Sequence, residues 1–320
     1  MSAPRLSVVI PIYNEEQTIP LLHQRLLATL EGLGTRFEVV YVNDGSSDRS
    51  LELLRERQHD DPRIVVAELS RNWGHQAALT AGLALARGQG VVLMDGDLQD
   101  PPELIPQLVA AWEAGAEVVV AQRTARQERP WRRLAFALFY KLFAFLSDYP
   151  IPLNAGIFGL LDRRAVEAIN ALGEVNRFLP GLRAWVGFAT RTVPYARQAR
   201  AQGEPRQSLL RLARYAFDAI FSFSYKPLRL SLAVGAAVSL FSLVYGVVLI
   251  VARLMGTGLF GIPVVHGYTS TIVAILFLGG TQLICVGILG EYIGRVYDEV
   301  KRRPLYLVRA VHRCPGGPPA

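Results

Sequence analysis

The chain has 320 residues, of which 51% are hydrophobic, and a formal net charge of +7 at pH 7. This length allows one large domain or two smaller ones. The two cysteines, Cys285 and Cys314, form no disulfide framework and have no metal-ligand spacing. The positive charge suits anionic membranes and phosphorylated substrates, and because no recognised nucleic-acid-binding module accompanies it, we do not expect nucleic acid as a partner.

The amino-terminal half alternates short apolar runs with helical patterns, which is typical of a mostly parallel sheet covered by helices. In chain order the pattern predicts strand 6–12, helix 19–33, strand 37–43, helix 47–57, strand 64–69, helix 74–87, strand 90–94, helix 104–114 and strand 117–122. Ligands of such sheets bind beyond the carboxyl ends of the strands. Polar segments follow four of these ends, at residues 13–15, 43–45, 70–72 and 95–97.

A pair of carboxylates, Asp95 and Asp97, follows the predicted strand 90–94 and is separated only by Gly96. Carboxylate oxygens are the ligands that Mg2+ or Mn2+ prefers, and Mg2+ commonly takes one or two of them together with substrate phosphates. The pair therefore predicts a divalent cation and a phosphorylated substrate. The alternative is a solvated turn, since short motifs often match by chance.

Nucleotide-binding motifs based on glycine are missing from the sequence, both G-x-G-x-x-G after the first strand and G-x-x-x-x-G-K-[ST]. A nucleotide must then be held by other residues. Asp44 follows a strand and can accept a hydrogen bond from a base N–H, while Pro11 and Tyr13 offer a face for the base. Taken singly, each of these could equally be an ordinary turn residue.

Two uncharged stretches, 230–252 and 267–290, predict a pair of transmembrane helices, because about 20 apolar residues cross a bilayer core. Arginines flank the first stretch and several lysines and arginines follow the second, whereas the segment between them carries no acidic or basic residue. By the positive-inside tendency both flanks are cytoplasmic. We expect no signal peptide, and we therefore expect a multi-pass protein of the inner membrane whose large amino-terminal part lies in the cytoplasm.

Residues 131–146 and 209–225 are rich in aromatic side chains, with basic residues at intervals. Helices of this composition lie in the membrane interface with their arginines at the headgroups. They would bring a neighbouring site close to a lipid headgroup. The alternative is that they pack onto the domain core or onto another subunit.

Four segments, PIYNEEQTI, VNDGSSDRS, RNWGHQAALTAGL and MDGDLQDPPE, follow one another in an order and spacing that resemble a family 2 glycosyltransferase. The sequence is most similar to polyprenyl-phosphate glycosyltransferases, including bacterial undecaprenyl-phosphate glucosyltransferases and dolichyl-phosphate mannose synthase. This resemblance implies an α/β fold of the GT-A (Rossmann-like) type, with two transmembrane helices at the carboxyl end. It also suggests a homotetramer.

The resemblance implies roles for particular residues. Those matching the family's nucleoside-binding positions are Pro11, Tyr13, Glu15 and Asp44. Those matching the site of the metal and diphosphate are Asp95, Asp97 and Gln99, with Arg123 near the phosphates. The segment expected near the acceptor phosphate contains Arg197, Arg200, Gly203 and Glu204, followed by Pro205 and Arg206 where the family has Ser and Lys.

The sequence departs from the family at NAGIFGLLDRR, where Asn154, Ile157 and Gly159 replace Asp, Asp and Arg. Ile157 cannot act as the base proposed for the inner Asp. However, a phosphate monoester has a second pKa near 6, so the acceptor oxygen is already largely anionic, and positioning with charge stabilisation can carry the reaction. Asp162 could substitute weakly, but we interpret it as a helix N-cap.

The resulting hypothesis is an inverting transfer of a hexose from a UDP-sugar to polyprenyl phosphate, with Asp97, Arg123, Arg197 and Arg200 as the catalytic residues. The expected organisation is a nucleotide-sugar domain (1–130), an acceptor-side segment (131–228), a transmembrane hairpin (229–295) and a cytoplasmic tail (296–320). Two alternatives remain. One is a non-catalytic nucleotide-sugar sensor, and the other is a processive polysaccharide synthase, although the Q-x-x-R-W motif is missing.

Overall fold

The amino-terminal half folds into the alternating strands and helices that the apolar runs predict. The computed structural model describes residues 3–123, 155–175, 177–195, 226–254 and 268–313. Its first elements are β1 (Leu6–Ile12), α1 (Ile19–Gly32), β2 (Phe37–Asn43), α2 (Ser50–Asp60), β3 (Ile64–Leu69), α3 (His75–Leu85), β4 (Gly90–Leu93), a short 3-10 helix (Pro102–Leu104), α4 (Ile105–Glu113) and β5 (Val118–Arg123). The predicted bounds differ from these by at most three residues.

In the part of the chain that the structure describes, three further strands and four helices follow β5, and the sequence analysis does not predict these strands. They are β6 (Ala155–Asp162), α5 (Arg163–Ala171), α6 (Leu179–Trp185), β7 (Thr190–Tyr195), α7 (Lys226–Leu254), α8 (Tyr268–Lys301) and β8 (Val308–His312). The predicted interfacial helices at 131–146 and 209–225 lie outside the described residues.

All eight described strands form one sheet in the order β7-β5-β6-β4-β1-β2-β3-β8. The pairs β1–β2, β1–β4, β2–β3 and β5–β7 are parallel. Strand β6 runs antiparallel between β4 and β5, and β8 is antiparallel to β3. The mostly parallel sheet is therefore confirmed, with antiparallel pairs at β6 and at one edge.

Both faces of the sheet are buried, because alternate residues of each strand point to opposite sides. Ile10, Ile12 and Tyr41 lie in a core cluster with α1 and α4. Val9 and Ile157 lie in a second cluster with α3, α5 and α6. Full burial of one such aliphatic side chain contributes about 1.5–3 kcal/mol, so these two clusters fix the strand ends from which the site loops emerge.

The two uncharged stretches form the long helices α7 and α8, which contact each other. Cys285 on α8 donates a weak hydrogen bond to the carbonyl oxygen of Ser231 on α7, at 3.7 Å. Within the described part of the chain, one helical segment is long and apolar enough to cross a membrane, Phe277–Lys301, and α7 contains the shorter apolar segment Ser231–Tyr245. The prediction of two spans is thus supported only in part, and α8 continues eleven residues beyond the predicted end of its span.

The chain returns to the sheet after the hairpin, within the segment 296–320 that the sequence analysis assigns to a cytoplasmic tail. Strand β8 pairs with β3, with Glu68 opposite Ala310. The backbone N–H of Ser70 donates to the carbonyl oxygen of Leu307 at 2.9 Å. Both ends of the hairpin therefore connect to the same domain. Residues 314–320 lie outside the described residues.

Candidate active site

The loop after β1 and the loop after β2 form one wall of a cleft at the carboxyl ends of the strands. The Asn14 side chain accepts a hydrogen bond from the backbone N–H of Ser47 at 2.8 Å, and the Ser50 hydroxyl accepts one from the N–H of Glu15 at 2.9 Å. These bonds hold Tyr13 and Glu15 at the cleft, together with Pro11. Tyr13 is 47% exposed, so its ring can contact a bound base.

Asp44 lies at the floor of the cleft and is almost fully buried. Its two carboxylate oxygens accept hydrogen bonds from the backbone N–H groups of Trp73 and Gly74, at 2.7 and 2.9 Å. Each oxygen retains a second lone pair. Asp44 therefore fixes the loop that precedes α3 and can still accept a hydrogen bond from a ligand.

The two carboxylates Asp95 and Asp97 both line the cleft, on the loop after β4. The glycine between them is required by space, because a Cβ on Gly96 would lie 2.7 Å from Ile12 Cδ1. The backbone N–H of Gln99 donates to Asp97 Oδ1 at 3.1 Å. The loop thus packs closely against β1 while its carboxylates, both partly exposed, face the opening.

His75 is a cleft residue that the sequence reasoning missed. It opens α3, and its Nε2 lies 2.8 Å from Asp95 Oδ1. Burial favours the neutral imidazole, but the hydrogen bond to Asp95 and the charges of Asp95, Asp44 and Asp97 together raise the pKa of His75 above its ordinary value. The available signal was its position, since the RNWGH segment follows β3 at the edge where the other candidate residues lie.

A second polar group lies beside the cleft, at the ends of β5 and β7. Arg123 Nε donates to the Tyr195 hydroxyl at 3.2 Å, and that hydroxyl donates to Asp100 Oδ1 at 2.6 Å. The pKa of Arg123 is raised, because its bond to Tyr195 and the nearby charges of Asp100 and Asp95 outweigh the effect of burial. Arg123 is therefore close enough to interact with the Asp95 carboxylate, although it does not line the described cleft.

The strand that departs from the family pattern, β6, carries no acid at its start. Ile157 is buried among apolar residues of β4 and α6. The guanidinium of Arg183 donates to the carbonyl oxygens of Gly156 and Ile157, at 3.1 and 3.4 Å, and burial lowers the pKa of Arg183 to about 10. Asp162 caps α5 by accepting from the N–H of Arg164 at 3.0 Å, which confirms the interpretation of Asp162 as an N-cap.

The described cleft brings together some of the predicted site residues. It brings together Pro11, Tyr13, Glu15, Asp44, Asp95 and Asp97, and adds Asn72, Gly74 and His75. Arg197, Arg200, Gly203 and Glu204 lie outside the described residues. Their expected place at the acceptor phosphate stays a prediction.

The carboxylate pair fits a divalent cation that is shared with a ligand. No group of three or more potential metal ligands from His, Cys, Asp and Glu occurs among the residues that the structure describes. Mg2+ and Mn2+ do not need such a group, because one or two carboxylates with substrate phosphates and water complete their shell. Asp95 and Asp97, partly exposed at the cleft, meet that requirement.

Comparison with known proteins agrees with the architecture. A model of glycosyl transferase family 2 matches residues 7–169, and a model described as the GtrB C-terminal hairpin matches residues 226–296. The fold class is an α/β fold of the GT-A type with a mostly parallel sheet. The chain belongs to glycosyltransferase family 2, in the group that contains the bactoprenol glucosyl transferases, and is a glycosyltransferase.

Full-length relatives support this assignment. An uncharacterized glycosyltransferase of Synechocystis sp. is 45% identical over 304 residues, covering 95% of this chain and 94% of the relative. The bactoprenol glucosyl transferase of Shigella phage SfII is 41% identical over 310 residues, covering 97% and 99%. A mannosyltransferase from Pyrobaculum calidifontis, solved with GDP-Man and Mn2+, is 18% identical with a TM-score of 0.46, covering 94% of this chain and 88% of that one. A likeness this distant says nothing about the sugar or the metal used here.

Proposed function

We propose that this protein is a membrane glycosyltransferase that transfers a hexose from a UDP-sugar to polyprenyl phosphate, namely undecaprenyl phosphate, with inversion at the anomeric carbon. The observation that carries the proposal is the identity of 41% to a bactoprenol glucosyl transferase over 97% of this chain, which includes both the cleft and the hairpin. The product would serve the assembly or modification of a cell-envelope glycan.

The cleft holds the nucleotide sugar in this proposal. Tyr13 and Pro11 contact the base, Asp44 accepts a hydrogen bond from it, and Glu15 lies beside the nucleoside. The diphosphate lies at Asp95, Asp97 and Gln99. The sugar then faces β6. Except for Gln99, these residues all line the described cleft, and their proximity supports this arrangement. Gln99 lies on the same loop as Asp97 and donates its backbone N–H to the Asp97 carboxylate.

Asp95 and Asp97 would hold Mg2+ or Mn2+ between them and the diphosphate. When bound, the cation neutralises the negative charge that develops on the departing nucleoside diphosphate. Arg123, whose raised pKa keeps it charged, adds positive charge beside the same phosphates. Fixed charges of this kind stabilise a transition state because they need no reorganisation during the reaction.

The acceptor phosphate attacks the anomeric carbon without a strong base in this proposal. Its oxygen is largely anionic at neutral pH, because the second pKa of a phosphate monoester is near 6. The apolar surroundings of Ile157 support a mechanism that relies on positioning. Arg197 and Arg200 would bind the acceptor phosphate, since a guanidinium donates two parallel hydrogen bonds to phosphate oxygens.

The hairpin of α7 and α8 anchors the enzyme in the inner membrane as a multi-pass protein. Large apolar side chains on both helices are exposed, among them Leu240, Phe241, Ile284 and Val286, and exposed apolar surface of this extent marks a membrane or partner contact. Because β8 returns to the sheet that precedes the hairpin, both helix ends belong on one side of the membrane. This supports two crossings and a catalytic domain in the cytoplasm. Assembly into a tetramer remains a hypothesis.

A second function is favoured by one observation, the buried Ile157 in place of an acid. A non-catalytic sensor would bind the nucleotide sugar without transferring it. The retained carboxylate pair argues against a sensor, because binding alone needs no cation at the diphosphate. A processive synthase has no comparable support in the described helices.

Transfer of radiolabelled sugar tests the proposal. The full-length protein in detergent is incubated with undecaprenyl phosphate and a panel of UDP- and GDP-sugars, with Mn2+, Mg2+ or a chelator. We expect metal-dependent label in the lipid fraction from a UDP-hexose, and loss of that label in Asp97→Asn. Asp60→Asn, an exposed residue at the end of α2, is the matched control and should transfer normally. Donor binding by calorimetry without transfer from any donor would instead identify a sensor.

A further inference from the structure

Three residues that are distant in sequence form a chain of hydrogen bonds beside the cleft. Arg123 Nε donates to Tyr195 Oη at 3.2 Å, and Tyr195 Oη donates to Asp100 Oδ1 at 2.6 Å. The Asp100 and Tyr195 side chains are almost fully buried, and the side chain of Arg123 is 24% exposed. The guanidinium is therefore held by buried groups while part of the Arg123 side chain remains exposed, and its Nη2 lies 4.0 Å from Asp100 Oδ1.

The direction of this chain is fixed by the number of protons available. A phenol has one proton, and burial together with the charge of Asp100 raises the pKa of Tyr195, so the hydroxyl stays protonated. Its proton goes to Asp100, which leaves the oxygen lone pairs to accept from Arg123. The Tyr195 hydroxyl thus links the buried Asp100 carboxylate to the Arg123 guanidinium and fixes the orientation of the guanidinium. Hydrogen bonds in such chains strengthen one another.

The backbone places these residues where the donor and acceptor sides meet. Arg123 and Tyr195 are the last residues of β5 and β7 and lie opposite each other in the parallel pair. Asp100 follows the carboxylate pair by three residues. The next segment after Tyr195 contains Arg197 and Arg200. One buried cluster therefore joins the loop of Asp95 and Asp97 to the start of the predicted acceptor-binding segment.

We propose that Tyr195 and Asp100 are positioning residues that hold the Arg123 guanidinium against the phosphates of the donor. This inference rests on the proposed function, because it assigns the diphosphate to the cleft. Gly156 contributes space, since a Cβ there would lie 2.9 Å from Arg123 Nη2. A guanidinium that is fixed in place before the reaction stabilises the charge that develops in the transition state better than a mobile one. Loss of this positioning should therefore lower mainly kcat.

A double-mutant cycle on full-length protein in detergent tests this role, with UDP-glucose, undecaprenyl phosphate and Mn2+. Tyr195→Phe removes both hydrogen bonds but keeps the ring, which packs edge-on against Phe158 with centroids 5.7 Å apart. We expect kcat to fall roughly ten-fold with a smaller change in KM, as for loss of a hydrogen bond to a charged group. If Tyr195 acts through Arg123, Tyr195→Phe should cause no further loss in an Arg123→Ala background.

Two other variants keep the test decisive. Gly156→Ala removes no polar group but displaces the guanidinium, and it should lower kcat as Tyr195→Phe does, even if Tyr195→Phe proves too unstable to assay. Tyr41→Phe is the matched control, because Tyr41 is equally buried and its hydroxyl lies 3.1 Å from His23 Nδ1. Tyr41→Phe should lower the free energy of unfolding about as much as Tyr195→Phe does, and it should leave kcat unchanged.

The outcomes separate this inference from the proposed function. Additive losses in the cycle, or normal kcat in both Tyr195→Phe and Gly156→Ala, would overturn the positioning role. If the unmodified protein transfers no sugar to the lipid, the proposed function fails instead. The same cycle is then measured as the affinity for UDP-glucose by calorimetry, where coupling between Tyr195 and Arg123 supports the inference and additivity refutes it.

Discussion

Carboxylates occur in two contrasting surroundings in this fold, the cleft and the β3–β8 edge of the sheet. At the edge, Glu68 is almost fully buried, and its oxygens lie 3.2 Å from Arg55, 3.0 Å from Arg309 and 3.7 Å from His312. Four carboxylates line the cleft, Glu15, Asp44, Asp95 and Asp97, and His75 is the one basic side chain among the described lining residues.

This difference separates carboxylates that stabilise the fold from those that bind ligands. Glu68 is balanced by cations within the protein, so it holds β8 and the end of the hairpin against β3. The cleft concentrates negative charge at the point where a divalent cation is expected, and such crowding costs stability until the cation binds. Isosteric neutralisation of one carboxylate in each place should therefore give opposite results.

The largest effect is expected at the cleft, from Asp95→Asn. The amide retains an oxygen that can accept from His75, but it loses the charge that holds the cation, so sugar transfer should fall at least roughly 100-fold. The melting temperature should stay the same or rise slightly, because one of the crowded charges is gone. Transfer of radiolabelled sugar measures the activity, and thermal unfolding in detergent measures the melting temperature. A large drop in melting temperature would mean that Asp95 serves the fold.

Glu68→Gln should instead lower the free energy of unfolding by about 2 kcal/mol and leave sugar transfer per folded molecule normal. The loss is smaller than for a fully buried ion pair, because Arg55 and Arg309 remain half-exposed or more. Glu52→Gln, which removes an exposed partner of Arg49, should change stability by less than about 0.5 kcal/mol. Lost activity in a Glu68→Gln protein of normal stability would contradict the comparison.

The sequence predicted the first five strands because each is an apolar run bounded by turn residues. It did not predict β6, β7 or β8, for separate physical reasons. Strand β6 contains two glycines and follows a long connection, β7 is largely exposed and contains Pro194, and β8 is short and pairs with a strand about 240 residues earlier. Such pairings depend on tertiary contacts rather than on local pattern.

The donor side of the site could be predicted because parallel strand ends meet at one edge of the sheet. The contact between the partners of Arg123 could not, since Asp100 and Tyr195 are 95 positions apart. Asp100 lies within the MDGDLQDPPE segment, but that pattern does not indicate a contact with Tyr195. His75 opens a helix rather than ending a strand, so the rule that located Asp95 did not select it. Contacts between side chains of different elements therefore account for most of what was missed.

Substitution of His75 should have the smallest effect and gives the most specific test of the cleft. Its Nε2 lies 2.8 Å from Asp95 Oδ1, and hydrogen bonds to metal-binding carboxylates orient them, so that losing one typically costs 10–100-fold in metal affinity. We expect His75→Ala to weaken Mn2+ binding, measured by electron paramagnetic resonance with UDP present, by roughly ten-fold. His75→Gln keeps an N–H donor and should recover most of that affinity. Equal losses in the two variants would show that an N–H donor at this position is not what supports metal binding, and would contradict the orienting role of His75.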